Sequence, residues 1–308
     1  MKRFSIVRNI SFFIISIALS TLTNNANAER LKYIEFSQLG SPAEVLEVKE
    51  DHSRPLKSGE IRVRVLAVPI NPSDLLQIEG NYGIDPVLPY RPGKEGIGRV
   101  VEISSEIKHL MVGQLVLLVG GETGTWRDEI VAPAVSFLPL PNLGTLDSNM
   151  IEQLSMTVVN PMTALLMLTS FVELDEGQWL VQSASNSAVG GYVIQLAKQR
   201  GIKTINVVRR EGLAEDLIAK GGDVVLIDGP NLTAQITKAT NNAPVKLALD
   251  AVGGDTYTRL ANSLGYGGTL IAYGVLSGKD ATLNPGMTIA NDIRLRSFWL
   301  TKWYEAAE

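Results

Sequence analysis

Residues 179–210 read WLVQSASNSAVGGYVIQLAKQRGIKTINVVRR, and the order of textures in this stretch decides the fold. An apolar strand, WLVQSA, runs into the small polar turn SNSAVG, which opens a helix from Ala188 to Gln199 with Val189, Val193, Leu196 and Ala197 along one side. A second apolar strand, TINVVR, follows Gly201. Strand, turn, helix and strand at this length make one crossover unit of a parallel sheet, and the turn falls where such sheets bind the pyrophosphate of a dinucleotide. Matched to G-x-G-x-x-G, Ser185 and Ser187 stand in for the first two glycines, and only Gly190 survives as the third. Small residues still let the backbone approach a pyrophosphate, and the helix N-terminus, with Asn186, Ser187, Ala188 and Val189, presents free N–H groups and positive potential. The competing reading is a helix capped in the ordinary way by Ser185, Asn186 or Ser187.

The second strand ends on Arg209 and Arg210, close to 20 residues beyond the turn, where an NAD enzyme carries an acid for the ribose hydroxyls. A guanidinium offers phosphate oxygens a planar, always charged fork, so this end suits the 2'-phosphate of NADP. Two solvated arginines closing a strand are the alternative.

Outward from this unit, the chain after Gly177 holds six candidate strands: WLVQSA, TINVVR, VVLID, LALDAV, TLIAYG and LRSFWL. Strands apolar throughout have both faces covered, which predicts a doubly wound parallel sheet. Before it, LKYIEF, VLEVKE, EIRVRVLAV, GIGRVVEIS, QLVLLVG and RDEIVAP are cut by Gly, Pro and Asn, as in a β-rich, partly barrel-like unit. A helical stretch from Ser148 to Phe171 is interrupted at Asn160-Pro161. The predicted class is α/β, with a β-rich domain over 29–155 and a dinucleotide-binding domain over 156–308.

With 308 residues, 45% hydrophobic and 19% charged, the chain has material for a substantial core. A net charge of -4 gives no general attraction to nucleic acid. The chain has no cysteine and only two histidines, His52 and His109, so thiolate zinc sites, disulfides and a cysteine nucleophile are excluded, and no metal site is expected. Lys2, Arg3 and Arg8 precede the apolar run ISFFIISIALSTL and then Ala26-Asn27-Ala28, which reads as a cleavable signal peptide over 1–28 and predicts export to the periplasm. A transit peptide, with a mitochondrial location, and a cytoplasmic location are the alternatives. No stable membrane span is expected once the leader is removed.

The stretches NPSDLLQIEGNYG, GTWRDEIVAP, NPMTALLML, the quoted central segment, AYG and SFWLTKW together resemble mitochondrial-type 2-enoyl thioester reductases, zinc-free members of the medium-chain dehydrogenase/reductase superfamily. The resemblance spans Leu31 to Trp303. It implies a GroES-like catalytic domain, a six-stranded Rossmann domain, NADPH as reductant, and an enoyl-CoA or enoyl-acyl carrier protein thioester as substrate. It places Tyr82 on the family's catalytic tyrosine, a phenol suited to donate to the thioester oxygen as charge builds there. A turn tyrosine packing over a loop is the bland alternative. Trp126 falls near the active site by the same comparison, or in ordinary core. Asn160 lies toward the nicotinamide, Asn186 to Gly190 along the pyrophosphate, and Arg209, Arg210 and Glu211 around the 2'-phosphate. Tyr273, Gly274, Val275 and Leu276 complete the cofactor groove with Phe298, Trp299 and Leu300.

Three departures follow. The zinc branch's GHE signature reads Gly93-Lys94-Glu95, with lysine where a ligand histidine would be. The run Arg209-Arg210-Glu211 replaces the family's arginine-acid-arginine order. Family members also continue past the FWL strand with elements that return to the first domain, whereas this chain ends at Glu308; a truncated catalytic domain with exposed strand edges is therefore expected. Two other functions stay open: a zinc-free quinone or enone reductase, and a non-catalytic NADP-binding remnant. Homodimerisation through LRSFWL is expected.

Overall fold

The computed structural model describes residues 30–119 and 124–307, and the leader predicted over 1–28 lies outside them. The first half is built from strands β1 (Arg30–Glu35), β2 (Glu47–His52), β3 (Glu60–Ala67), β4 (Glu95–Ile103), β5 (Leu115–Val119), β6 (Glu129–Pro133) and β7 (Phe137–Pro139). Helices α1 (Pro42–Val45) and α2 (Pro72–Ile78) sit between them. β1 and β2 pair antiparallel, and β6-β3-β4-β5-β7 form an antiparallel sheet. Alternation places Ile61 and Val63, Val116 and Leu118, and Ile130 and Ala132 on one buried face, closing a core with Val100 and Phe137. This is the β-rich unit that the strand texture implied, with the architecture the resemblance gave as GroES-like.

Helices α3 (Ser148–Ser155) and α4 (Asn160–Thr169) follow. Pro161 does not break a helix from within. It sits in the first turn of α4, where its missing N–H leaves no bond unmade.

The second half alternates: β8 (Trp179–Gln182), α5 (Ala188–Gln199), β9 (Lys203–Val208), α6 (Ala214–Ala219), β10 (Val224–Ile227), α7 (Leu232–Ala239), β11 (Val245–Asp250), α8 (Gly254–Asn262), β12 (Leu264–Ala272), α9 (Pro285–Ala290), β13 (Arg294–Ser297) and α10 (Leu300–Ala307). All pairings are parallel, in the order β10-β9-β8-β11-β12-β13. That is the six-stranded Rossmann order, with its switch point between β8 and β11. Adjacent strand residues face opposite ways: Leu180, Leu247, Leu249 and Ile271 pack with α4 and α5, while Val181, Ala248 and Leu270 pack with α7 and α8.

The sixth strand is shorter than LRSFWL. It stops at Ser297, Phe298 N then bonds Ala272 O, and α10 begins at Leu300, so Phe298, Trp299 and Leu300 lie at the exit from the sheet into a helix. They thereby reach the carboxyl end of the sheet, where the crevice is. Among the described residues, no helix is long and apolar enough to cross a membrane.

Candidate active site

The chain leaves β8 through Ala184, a non-glycine residue in the left-handed region at φ 49°. Ser185 is buried and turned inward, its Oγ 3.0 Å from Gln182 O and 3.1 Å from Val207 O, so the first serine ties the turn to β8 and β9. Ser187 caps α5, its Oγ accepting from Gly190 N at 3.1 Å. A Cβ on Gly190 would lie 2.5 Å from Ser185 O and 2.7 Å from Ser185 C and Cα. Only glycine lets the helix start this close behind the turn. Capping and an open helix N-terminus therefore coexist.

Beyond this turn lies a cavity of about 520 Å³, bounded by Ser183, Ala184, Asn186 and Ser187 on one side and Arg209, Arg210 and Leu213 on the other. Both arginines are exposed, and neither has an ion-pair partner among the described residues. The floor includes Asp228, which Arg259 grips with Nε and a second nitrogen at 2.8 Å each while Thr256 Oγ1 donates at 2.5 Å. Burial works against that carboxylate, yet Arg259 and Thr256 hold its pKa below the ordinary range.

A second cavity of about 300 Å³ shares Ser187 and Leu276 with the first, so the two are contiguous. Its walls bring together Tyr82, Asn71 and Asn160, the Ser187–Val189 turn, Tyr273 and Gly274, and Phe298 to Leu300. Tyr273 Oη is buried with no hydrogen bond of ordinary geometry; burial, with Asp250 nearby, pushes its phenol pKa up, and the neighbouring Ser187 side chain opposes the rise. Tyr82 Oη accepts from Trp299 Nε1 at 2.8 Å and lies 3.0 Å from Thr301 Oγ1. The two rings meet edge to face at 5.2 Å and 90°. An indole N–H can only donate, so it occupies a lone pair of the phenol and leaves the phenol hydrogen for Thr301 or for a ligand oxygen.

Behind this wall lies a buried polar assembly. Glu95, fully buried on β4, accepts from Asn71 Nδ2 at 2.9 Å with one oxygen and from the Val158 and Val159 N–H groups at 2.9 and 2.8 Å with the other. Asn160 Nδ2 donates to Asn71 Oδ1 at 3.1 Å. One carboxylate thus joins β4, α2 and the entry to α4. Burial raises the Glu95 pKa, while its three donors oppose the rise. Lys94 Nζ donates to Gln77 Oε1 at 2.6 Å, lies 3.8 Å from Asp74 Oδ1 and stands 4.1 Å from the Tyr82 ring centroid. Burial pushes the Lys94 pKa down and the Asp74 pKa up.

Not every expected residue converges. Trp126 packs with Phe36, Val45 and Ile78, donates from Nε1 to Pro69 O at 3.1 Å, and lines neither cavity. Glu211 and Val275 are exposed outside both cavities, and Gly190 lies beneath the turn. Sequence reasoning passed over Asn71, Asp74, Glu95, Asp228 and Thr301. Two of these carried a signal: Asn71-Pro72-Ser73-Asp74 has the spacing of a capping box, and the Asn71 N–H does bond Asp74 Oδ2 at 2.8 Å.

Two known sequence families match the chain: "Alcohol dehydrogenase GroES-like domain" over residues 57–142 and "Zinc-binding dehydrogenase" over 188–308. Among the described residues, no group of three or more His, Asp or Glu is gathered as a metal cage would need. The mitochondrial enoyl-acyl-carrier-protein reductase of Homo sapiens is 35% identical over 292 residues, covering 93% of this chain and 77% of that protein. The solved complex of Etr1p with NADP and crotonyl-CoA superposes with a TM-score of 0.82 at 28% identity, over 90% of this chain and 84% of that one. A putative NADPH:quinone reductase from Bacillus thuringiensis superposes with a TM-score of 0.79 at 31% identity, over 90% and 82% of the two chains. On these grounds the chain belongs to the mitochondrial enoyl-acyl-carrier-protein reductase family of the medium-chain dehydrogenases/reductases.

Proposed function

We propose that this protein reduces the carbon–carbon double bond of trans-2-enoyl thioesters with NADPH, using Tyr82 as the proton donor. The carrying observation is that the Tyr82 hydroxyl and the Ser187–Val189 turn line one cavity, at the switch point of the parallel sheet. The residues present fit NADP. Gly190 keeps the helix start open to a pyrophosphate, and Arg209 and Arg210 carry unpaired charge at the end of β9, suited to a 2'-phosphate. Tyr273 Oη, buried with no hydrogen bond of ordinary geometry, offers one on the nicotinamide side.

When bound, the reduced nicotinamide supplies the hydride that goes to the substrate β-carbon. Asn160 and the Phe298–Leu300 segment wall the space in which that transfer occurs. As negative charge grows on the thioester oxygen, Tyr82 donates a hydrogen bond there, and its proton goes to the α-carbon. Trp299 holds the phenol oxygen as that proton leaves. The same reading takes 29–155 as the catalytic domain and 156–308 as the NADP-binding domain, and takes Trp126 as support for the catalytic face rather than as a contact. The mitochondrial relatives support a mitochondrial location. A homodimer paired along the exposed strand β13 is part of this reading.

Purified protein should consume NADPH with crotonyl-CoA, and Tyr82→Phe should lower kcat by about a hundredfold. No NADPH consumption with any enoyl thioester defeats the proposal. The likeness to a putative quinone reductase favours a second reading, reduction of a quinone or small enone. On that route Tyr82→Phe would leave quinone turnover intact.

A further inference from the structure

We propose that Lys94 is a positioning residue for Tyr82, holding the phenol toward the cleft through its ring and favouring the oxygen once its proton has left. This rests on the reading of Tyr82 as proton donor. Lys94 opens the turn into β4 and stands where the zinc branch of the superfamily carries a ligand histidine, so a cation on a side chain occupies a place that elsewhere serves a metal. Its side chain is about four-fifths buried, at 19% relative exposure, and it does not line the cavity itself.

Three contacts fix the ammonium. Gln77 Oε1 accepts at 2.6 Å, Ser73 O lies 3.4 Å away, and Asp74 Oδ1, itself buried and without a hydrogen-bond partner, lies at 3.8 Å. All three come from helix α2, whose first turn is held by the Asn71-to-Asp74 bond. The remaining side of the ammonium meets the Tyr82 ring at 4.1 Å from its centroid. A desolvated cation over an aromatic face attracts the ring's quadrupole far more strongly than an exposed one does. Tyr82 is therefore gripped twice, at the ring by Lys94 and at the oxygen by Trp299 and Thr301. The ring grip and the Trp299 bond both remain when a substrate oxygen takes the place of the Thr301 hydroxyl.

The test uses Lys94→Met, Lys94→Arg and, because Lys94→Met strands the buried Asp74 carboxylate, the double variant Lys94→Met/Asp74→Asn. Each is read by kcat and KM for crotonyl-CoA with NADPH, alone and combined with Tyr82→Phe. NMR of protein labelled with carbon-13 in tyrosine follows the Tyr82 ring, its signals assigned by their loss in Tyr82→Phe. The expected result is a kcat lowered about tenfold in both Met variants with KM little changed, partial recovery in Lys94→Arg, and displaced Tyr82 ring signals. Adding Lys94→Met to Tyr82→Phe should cost nothing further. A wild-type kcat in Lys94→Met/Asp74→Asn, unmoved ring signals, or an undiminished extra loss in the Tyr82→Phe background overturns the proposal. If Tyr82→Phe itself turns over at the wild-type rate, the donor reading fails and the role of Lys94 in the reaction falls with it; displaced ring signals then identify the donor reading, not the contact, as the fault.

Discussion

The two sides of the cleft are held by different means. On the side proposed to take the phosphates, between β8 and α5, the structure depends on closeness of backbones: Gly190 sits against Ser185 with no room for a methyl group, and Ser185 spends its hydroxyl on neighbouring strands. On the side proposed to take the substrate, between β4, α2 and α4, it depends on buried charge: Glu95, Asp74 and Lys94 lie largely out of water and are stabilised by fixed donors and acceptors. The first side should resist added volume and tolerate changes of charge. The second should tolerate volume-matched changes only where the polar partners survive.

The largest effect is expected at Glu95. Glu95→Leu is close in volume but leaves Asn71 Nδ2 and the Val158 and Val159 N–H groups without an acceptor, which should lower stability by about 4 kcal/mol in denaturant unfolding at neutral pH. A loss below about 1 kcal/mol would break the comparison at its stronger end. Burial raises the Glu95 pKa, so the folded state keeps that proton at pH values where the unfolded chain has released it. Its contribution is fullest below the ordinary glutamate value and declines as pH rises through the raised one, so the gap between wild type and Glu95→Leu should narrow across that window.

Next comes Gly190→Ala, a single methyl group that disturbs no polar partner. Its contact with Ser185 backbone atoms should cost about 2 kcal/mol and abolish NADPH binding measured by calorimetry. A variant that binds normally would show that the turn has slack the structure does not reveal. Smallest is Arg209→Ala, which should weaken NADPH binding about tenfold, leave NADH unaffected, and change stability by less than about 0.5 kcal/mol. Equal weakening of both nucleotides would remove the 2'-phosphate from the account of this residue.

The same contrast explains what could be read in advance. The parallel sheet was legible because its strands are apolar on both faces and its helices repeat at their own period, signals that lie within short windows. Its phosphate turn was legible as a turn. The roles of its serines were not, because whether a hydroxyl points inward or outward depends on β9, some 20 residues away along the crossover. Tyr82 stands out as a candidate only through its neighbours in a motif. Its partners Trp299 and Thr301 lie at the far end of the chain, and no local pattern couples them. Trp126 shows the converse: a motif neighbour of the site turned into the packing around Phe36 by the bond from its indole to Pro69 O. Glu95 was hidden by an otherwise ordinary strand, since burial of a carboxylate is visible only once its three donors are assembled.

The hydrogen bond between Trp299 and Tyr82, with Thr301 beside it, bears on how such a protein discriminates among ligands. On the proposed function, with the phenol donating to Thr301, an arriving carbonyl would replace a hydroxyl as the recipient of the phenol's hydrogen, one neutral acceptor exchanged for another, so the swap would add little to resting affinity. Its benefit emerges only when that carbonyl becomes electron-rich, because Thr301 never does. On that proposal the arrangement would reward molecules that react over molecules that merely fit.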